Sequence, residues 1–247
     1  MNPPAATGWC PHCQIPHRLE SGPALPHARH LMARLEEEGR IDFTVPAAEA
    51  DPHLSTDYLF GKARGQMFGV LTAEDGAGDT VILRAFSGMY NGRWEVDGWA
   101  KPLFSVADFH AVMDPPDIRI NALGAEMKKL ATDDPRRAHL KAQRRALSRA
   151  TQKSLHQLYT LHNFRGETAG LVPFYQGVAG PPTGAGDCCA PKLLDAAARR
   201  RLRPTGLAEF FFGTENLSRS RAHGVFYERC ADKCAPILGW MLCGGVA

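Results

Sequence analysis

Residues 65–88, GQMFGVLTAED-GAGD-TVILRAFSG, decide the fold class. Two runs of large apolar and β-branched residues flank a Gly/Asp turn, where glycine reaches positive φ at no steric cost. This pattern predicts an antiparallel hairpin of two mostly buried strands. The stretch YNGRWEVDGWAKPLF (90–104) is expected to extend it, with Trp94 and Trp99 as packing aromatics. Downstream, LAEFFFG (207–213) and HGVFYE (223–228) read as strands, and CADKCAPILGWML (230–242) as a helix. Another helix is expected from the GAGD loop at 184–187 through Leu202, stopped by Pro204-Thr205-Gly206. Upstream, HARHLMARLEEE predicts a short helix ending at Gly39, a residue suited to the left-handed C′ position. Residues 40–65 carry several prolines and no clear period. The expected class is therefore α+β: an antiparallel, hairpin-based sheet with helices on one face.

Residues 117–162 change character. IRINALGAEMKKLA, a break at TDDP and RRAHLKAQRRALSRATQKSLHQLYTLH predict a helical hairpin. Its apolar stripe is narrow, running through Leu123, Met127 and Leu130, then Leu140, Leu147, Leu155 and Leu158. Such a stripe suits an arm that protrudes from the body. Between Asp117 and Arg165 there are eleven Lys/Arg against four Asp/Glu, although the whole chain carries only +3. Lys128, Lys129, Arg136, Arg137, Lys141, Arg144 and Arg145 are the candidate phosphate contacts. The division expected is a Cys/His/Pro-rich irregular arm with a short helix at 1–60. An α+β domain at 61–247 then carries the hairpin as an insertion at about 117–162.

The chain has 247 residues, 44% apolar and 22% charged, enough to bury a sizeable core. The first residues have neither a basic nor an apolar signal region and no apolar run is of membrane length, so a cytoplasmic, non-membrane protein is expected. Seven cysteines fall as Cys10/Cys13, Cys188/Cys189, Cys230/Cys234 and Cys243. In a reducing compartment such pairs point to metal or reactive thiol rather than to disulfides.

Two metal arrangements are open. WCPHC is a C-x-x-C of the zinc-knuckle kind, and Cys10 and Cys13 with Cys230 and Cys234 would make a closed tetrahedral zinc site. Alternatively Cys188 or Cys189 joins Cys230 and Cys234 and leaves one coordination position open for water, as a catalytic zinc needs. That order of elements is similar to the nucleobase deaminases, whose general acid/base is a Glu beside the first ligand. No Glu follows Cys188 or Cys189 here, and the second cysteine pair has one residue too many. A third reading is thiol catalysis. With Asp187 as N-cap, Cys188 would sit in the first turn of a helix, where the dipole depresses its pKa. His223 would serve as base, and Glu209, a carboxylate among phenylalanines, would need a partner such as Lys192.

GAGDCCAPKLLDAA, LAEFFFG, HGVFYERCADKCAPILGWML and the 65–88 hairpin resemble the long N-terminal extension of some bacterial RluA-class RNA pseudouridine synthases. The likeness covers most of residues 60–245. It implies an RNA-modification setting, with RNA and an RNA-modification protein as partners. It marks Gly186, Asp187, Cys188, Pro191, Lys192, Glu209, His223, Cys230 and Cys234 as positions of the shared motifs. The catalytic synthase domain has no counterpart here. HRLE at 17–20 places Glu20 where that family's catalytic loop has Asp, and it reads as coincidence. The expected function is a zinc-binding, RNA-associated module, with an enzyme centred on Cys188 as the alternative.

Overall fold

The computed structural model describes residues 5–176, 180–228 and 233–246. Its elements follow the chain as β1 (Ala5–Cys10), β2 (Ile15–Glu20), α1 (Ala24–Glu38), α2 (Asp57–Phe60), β3 (Gln66–Glu74) and β4 (Thr80–Phe86). Then come α3 (Val106–Lys129), α4 (Arg136–His156), β5 (Thr160–His162), β6 (Thr168–Gly170), α5 (Cys189–Arg199), β7 (Arg203–Phe212), β8 (Phe226–Tyr227) and α6 (Ala235–Met241).

The 65–88 hairpin forms as expected, with Phe68 opposite Phe86 and Glu74 opposite Thr80. Asp75 ties its turn, its carboxylate accepting from the N–H groups of Ala77 and Asp79 at 2.9 and 3.0 Å. β7 pairs antiparallel with the other edge of β3, and β8 with β7, giving the order β4-β3-β7-β8. β3 is thus an inner strand covered on both sides, which is why its residues show no clean polar alternation.

Period-two geometry sends successive β3 residues to opposite faces. Leu71 and Ala73 meet Cys189, Leu193 and Ala197 of α5. Phe68 and Val70 meet Ala24, Ala28, Leu31 and Leu35 of α1, together with Phe210 and Phe212. The structure is α+β with an antiparallel sheet, but its helices occupy both faces: α5 lies on one side and α1 on the other. The four buried α1 positions recur every three or four residues, and the helix ends at Gly39 with φ +63°.

Four local expectations change. Residues 5–20 are not irregular: they form the β1–β2 hairpin, pairing Ala5 with Glu20 and Cys10 with Ile15. Residues 90–104 form turns rather than a further strand, although Trp94 and Trp99 are both buried. Trp99 donates from Nε1 to the Ile41 carbonyl at 2.8 Å. The first arm of the helical hairpin begins at Val106, where the Ser105 hydroxyl accepts from the Asp108 N–H at 3.3 Å, and it runs through Pro115 and Pro116. Pro204, Thr205 and Gly206 belong to β7, because α5 already ends at Arg199.

α3 and α4 pack on each other, burying only Leu123 of the first and Leu140, Thr151 and His156 of the second. Among the described residues no helix is long and apolar enough to cross a membrane.

Candidate metal centre

The N-terminal hairpin assembles a ligand set. Antiparallel pairing sets His17 opposite Gly8, so Ala6, Gly8, Cys10, His17 and Leu19 share the inner, buried face. That face packs on α6 at very short range. A Cβ on Gly239 would lie 2.2 Å from backbone atoms of Trp9, and one on Gly8 would lie 2.4 Å from the Gly239 nitrogen. Only glycine permits this approach. It brings the turn after α6, and Cys243 with it, onto the hairpin.

Cys10, Cys13, His17 and Cys243 each offer a ligand atom, and these four atoms all lie within 4.8 Å of one another. The Cys13 and Cys243 sulfurs are 3.2 Å apart. The Cys13 backbone N–H donates to Cys10 Sγ at 3.5 Å. His17 is 4% exposed, and neither ring nitrogen has a hydrogen-bond partner. An imidazole buried without partners is costly; a metal ion on one nitrogen removes that cost. Without an ion, burial, reinforced by Cys13 and Cys10, pushes the Cys243 thiol up to about 12. A divalent cation reverses that balance by taking the place of the protons. Three sulfurs and one imidazole form a soft, closed, four-ligand set of the kind that suits structural zinc.

Of the cysteines expected to bind metal, Cys10 and Cys13 are here. Cys234 is not, and Cys230 lies outside the described residues. Cys234 precedes α6 as its N-cap rather than riding on the helix. It faces Cys188 closely enough to share a hydrogen bond. The two unanticipated members, His17 and Cys243, differ in legibility. His17 completes C-x-x-C-x-x-x-H within WCPHCQIPH, a spacing visible in the sequence. Cys243 is supplied by tertiary packing across more than two hundred residues, and no local signal marks it.

The Cys188 neighbourhood is differently built. Cys188 itself is the N-cap of α5, and Asp187 instead accepts from the Tyr159 hydroxyl at 2.7 Å. The capping oxygen comes from Glu209 of β7, which accepts from the Ala190 N–H at 2.8 Å. Burial pushes the Glu209 carboxyl up to about 7, against that hydrogen bond and the charge of Arg221, which lower it. The Cys188 thiol is raised, not depressed: its hydrogen bond with Cys234 and its burial outweigh the helix dipole, and the nearby Glu209 and Asp187 add to the rise. Cys189 is a core residue donating to the Met67 carbonyl at 3.3 Å.

Lys192 is 1% exposed and donates to the carbonyls of Phe86 and Gly88 at 3.0 and 2.8 Å. Its ammonium also lies 4.9 Å from the centre of the Phe86 ring. It fastens the end of β4 to α5 and does not pair with Glu209. His223 accepts from the Gly213 N–H at 3.0 Å, packs on Phe212 and lies 3.4 Å from Glu36 of α1. That is the α1 side of the sheet, whereas Cys188 packs on the α5 side, so the two do not meet.

On the helical hairpin, Arg136 is engaged by Asp134 at 2.7 Å, and Arg137 donates to the Met127 and Leu130 carbonyls at 2.7 and 3.1 Å. Lys128, Lys129, Lys141, Arg144 and Arg145 are exposed. Comparison with known proteins returns no match to a family model, to a curated protein or to a solved structure.

Proposed function

We propose that this chain is a zinc-binding, RNA-associated module. The observation that carries the reading is the convergence of Cys10, Cys13, His17 and Cys243, with an imidazole that has no other partner. Four protein ligands leave no position for water, so the ion acts as a staple. It joins the N-terminal hairpin to the turn after α6, locking together two elements that also pack on each other through the Gly8–Gly239 approach and the apolar cluster of Ala6, Leu19, Ile237 and Leu238. RNA is the partner best matched by the charge distribution: the exposed cations of α3 and α4 have few acidic neighbours, and the 184–242 motifs resemble those of pseudouridine synthase extensions.

The test is zinc per chain, by elemental analysis of protein purified without chelator. One zinc is expected. Cys10→Ser, Cys13→Ser, His17→Ala and Cys243→Ser should each lower that content, whereas Cys188→Ser, Cys230→Ser and Cys234→Ser should leave it unchanged. Loss of zinc in the second group and not the first would replace this centre with one at Cys188. Filter binding of labelled RNA at two salt concentrations tests the second half, which falls if no salt-sensitive binding is seen.

A further inference from the structure

The cations most favourably arranged for a nucleic acid lie away from the hairpin tip. Arg145, Arg149 and Lys153 follow one another at four-residue intervals, so they share one face of α4, spaced about 6 Å apart along the axis. The facing wall is the segment Gly180–Thr183, and the cleft between them has a volume of about 660 Å³. This lies within the roughly 300–1,000 Å³ of ordinary ligand pockets.

None of the side chains lining the cleft is acidic, and none is Phe, Tyr or Trp. Among the described residues none of the three cations has an ion-pair partner, unlike Arg136 near the tip. The wall is braced by a relay. Thr183 Oγ1 donates to Gln152 Oε1 at 2.9 Å, and Gln152 Nε2 donates to His156 Nε2 at 2.9 Å. That order leaves the His156 proton on Nδ1, and burial, which lowers the pKa of this ring, keeps it neutral. The positive charge of the cleft therefore belongs to Arg145, Arg149 and Lys153 alone, held opposite a wall that Thr183 ties to α4.

The geometry points to a phosphate-binding cleft for single-stranded RNA. Three cations in file, about 6 Å apart along a groove, match successive phosphates of one extended strand. With no Phe, Tyr or Trp in the lining, and the His156 ring buried and tied to Gln152, no base is stacked, so binding follows the backbone and is tolerant of sequence. This rests on the RNA reading above and narrows it to a site.

The experiment is fluorescence anisotropy with a short labelled oligouridylate across a salt series. It compares wild type, Arg145→Gln/Arg149→Gln/Lys153→Gln, and Lys128→Gln/Lys129→Gln at the tip. All five positions are exposed, and an unchanged circular dichroism spectrum and melting temperature confirm the fold. The cleft variant should lose affinity about tenfold or more, and its salt slope should flatten by about 2, three contacts at roughly 0.7 each. The tip variant should lose much less. Equal binding by wild type and cleft variant overturns the cleft while leaving RNA association standing. No binding by wild type overturns both. A blunt duplex bound as tightly, with the same dependence on the three residues, or displacement of the RNA by polyglutamate at equal charge concentration, also sinks the assignment.

Discussion

Glu209→Gln should make the protein more stable at neutral pH and leave it unchanged in acid. Glu209 lies on β7 between Gly69 and Tyr227, and one of its oxygens accepts from the Ala190 N–H at the start of α5. Glutamine keeps that acceptor and nearly the same volume. What it removes is the charge. Burial pushes the carboxyl up to about 7 in the folded protein, from an ordinary value near 4.5. A raised folded pKa contributes stability that is fully present below pH 4.5 and is lost as pH rises through 7. At about 1.4 kcal/mol per pH unit the interval corresponds to about 3 kcal/mol. Chemical denaturation of both proteins from pH 4 to pH 8.5 measures it, because every other titrating group, including Asp187 and Asp195, cancels in the difference. The two stabilities should coincide near pH 4.5, and the variant should lead by about 3 kcal/mol at pH 8, or on the order of 10 °C in Tm. Curves that stay parallel across the range would refute the reasoning. They would mean that the carboxylate is as well solvated or paired in the fold as in the open chain, and that its place under α5 has a purpose other than capping.

Removing the metal should be costly in the same currency. Stripping zinc with a strong chelator is expected to lower Tm on the order of 10 °C, since a ligand at a thousandfold its Kd contributes about 4 kcal/mol, and back-titration should restore it. Zinc retention should fall on the acid side of neutrality, because three thiols must lose protons to bind; this is read by dialysis at graded pH. Gly239→Ala places a Cβ 2.2 Å from Trp9 backbone atoms that cannot rotate away, so it should destabilise by about 1–3 kcal/mol and reduce zinc occupancy together. Lys192→Met fills the space but leaves the Phe86 and Gly88 carbonyls without their donor, a loss of about 2 kcal/mol after the relief of an unpaired buried charge, visible by denaturation.

What the sequence made legible and what it hid divide along the range of the interactions. The 65–88 hairpin, the α1 stop at Gly39 and the 207–212 strand rest on neighbours in the chain, and each appeared where expected. The expected Asp187 cap had the right chemistry and the wrong residue: Glu209 reaches the Ala190 amide from another strand, which frees Asp187 to accept from Tyr159. The same substitution of a distant group for a local one explains why Cys188 is not an activated thiol. Its dipole is already answered by Glu209, and its neighbours are acidic or thiol. The metal centre repeats the pattern. Cys10, Cys13 and His17 are local, two strands and a turn apart, while Cys243 arrives only because two glycines let α6 lie against the hairpin. This dependence gives the centre its consequence. A site completed by the turn after α6 closes only when the β1–β2 hairpin and α6 have docked on each other, so an ion bound there would report that docking. Variants that loosen α6 without touching a ligand, such as Gly239→Ala, should therefore weaken zinc in proportion to the stability they lose. Zinc affinity unchanged in a variant destabilised by about 2 kcal/mol would mean that the hairpin holds the ion without the helix.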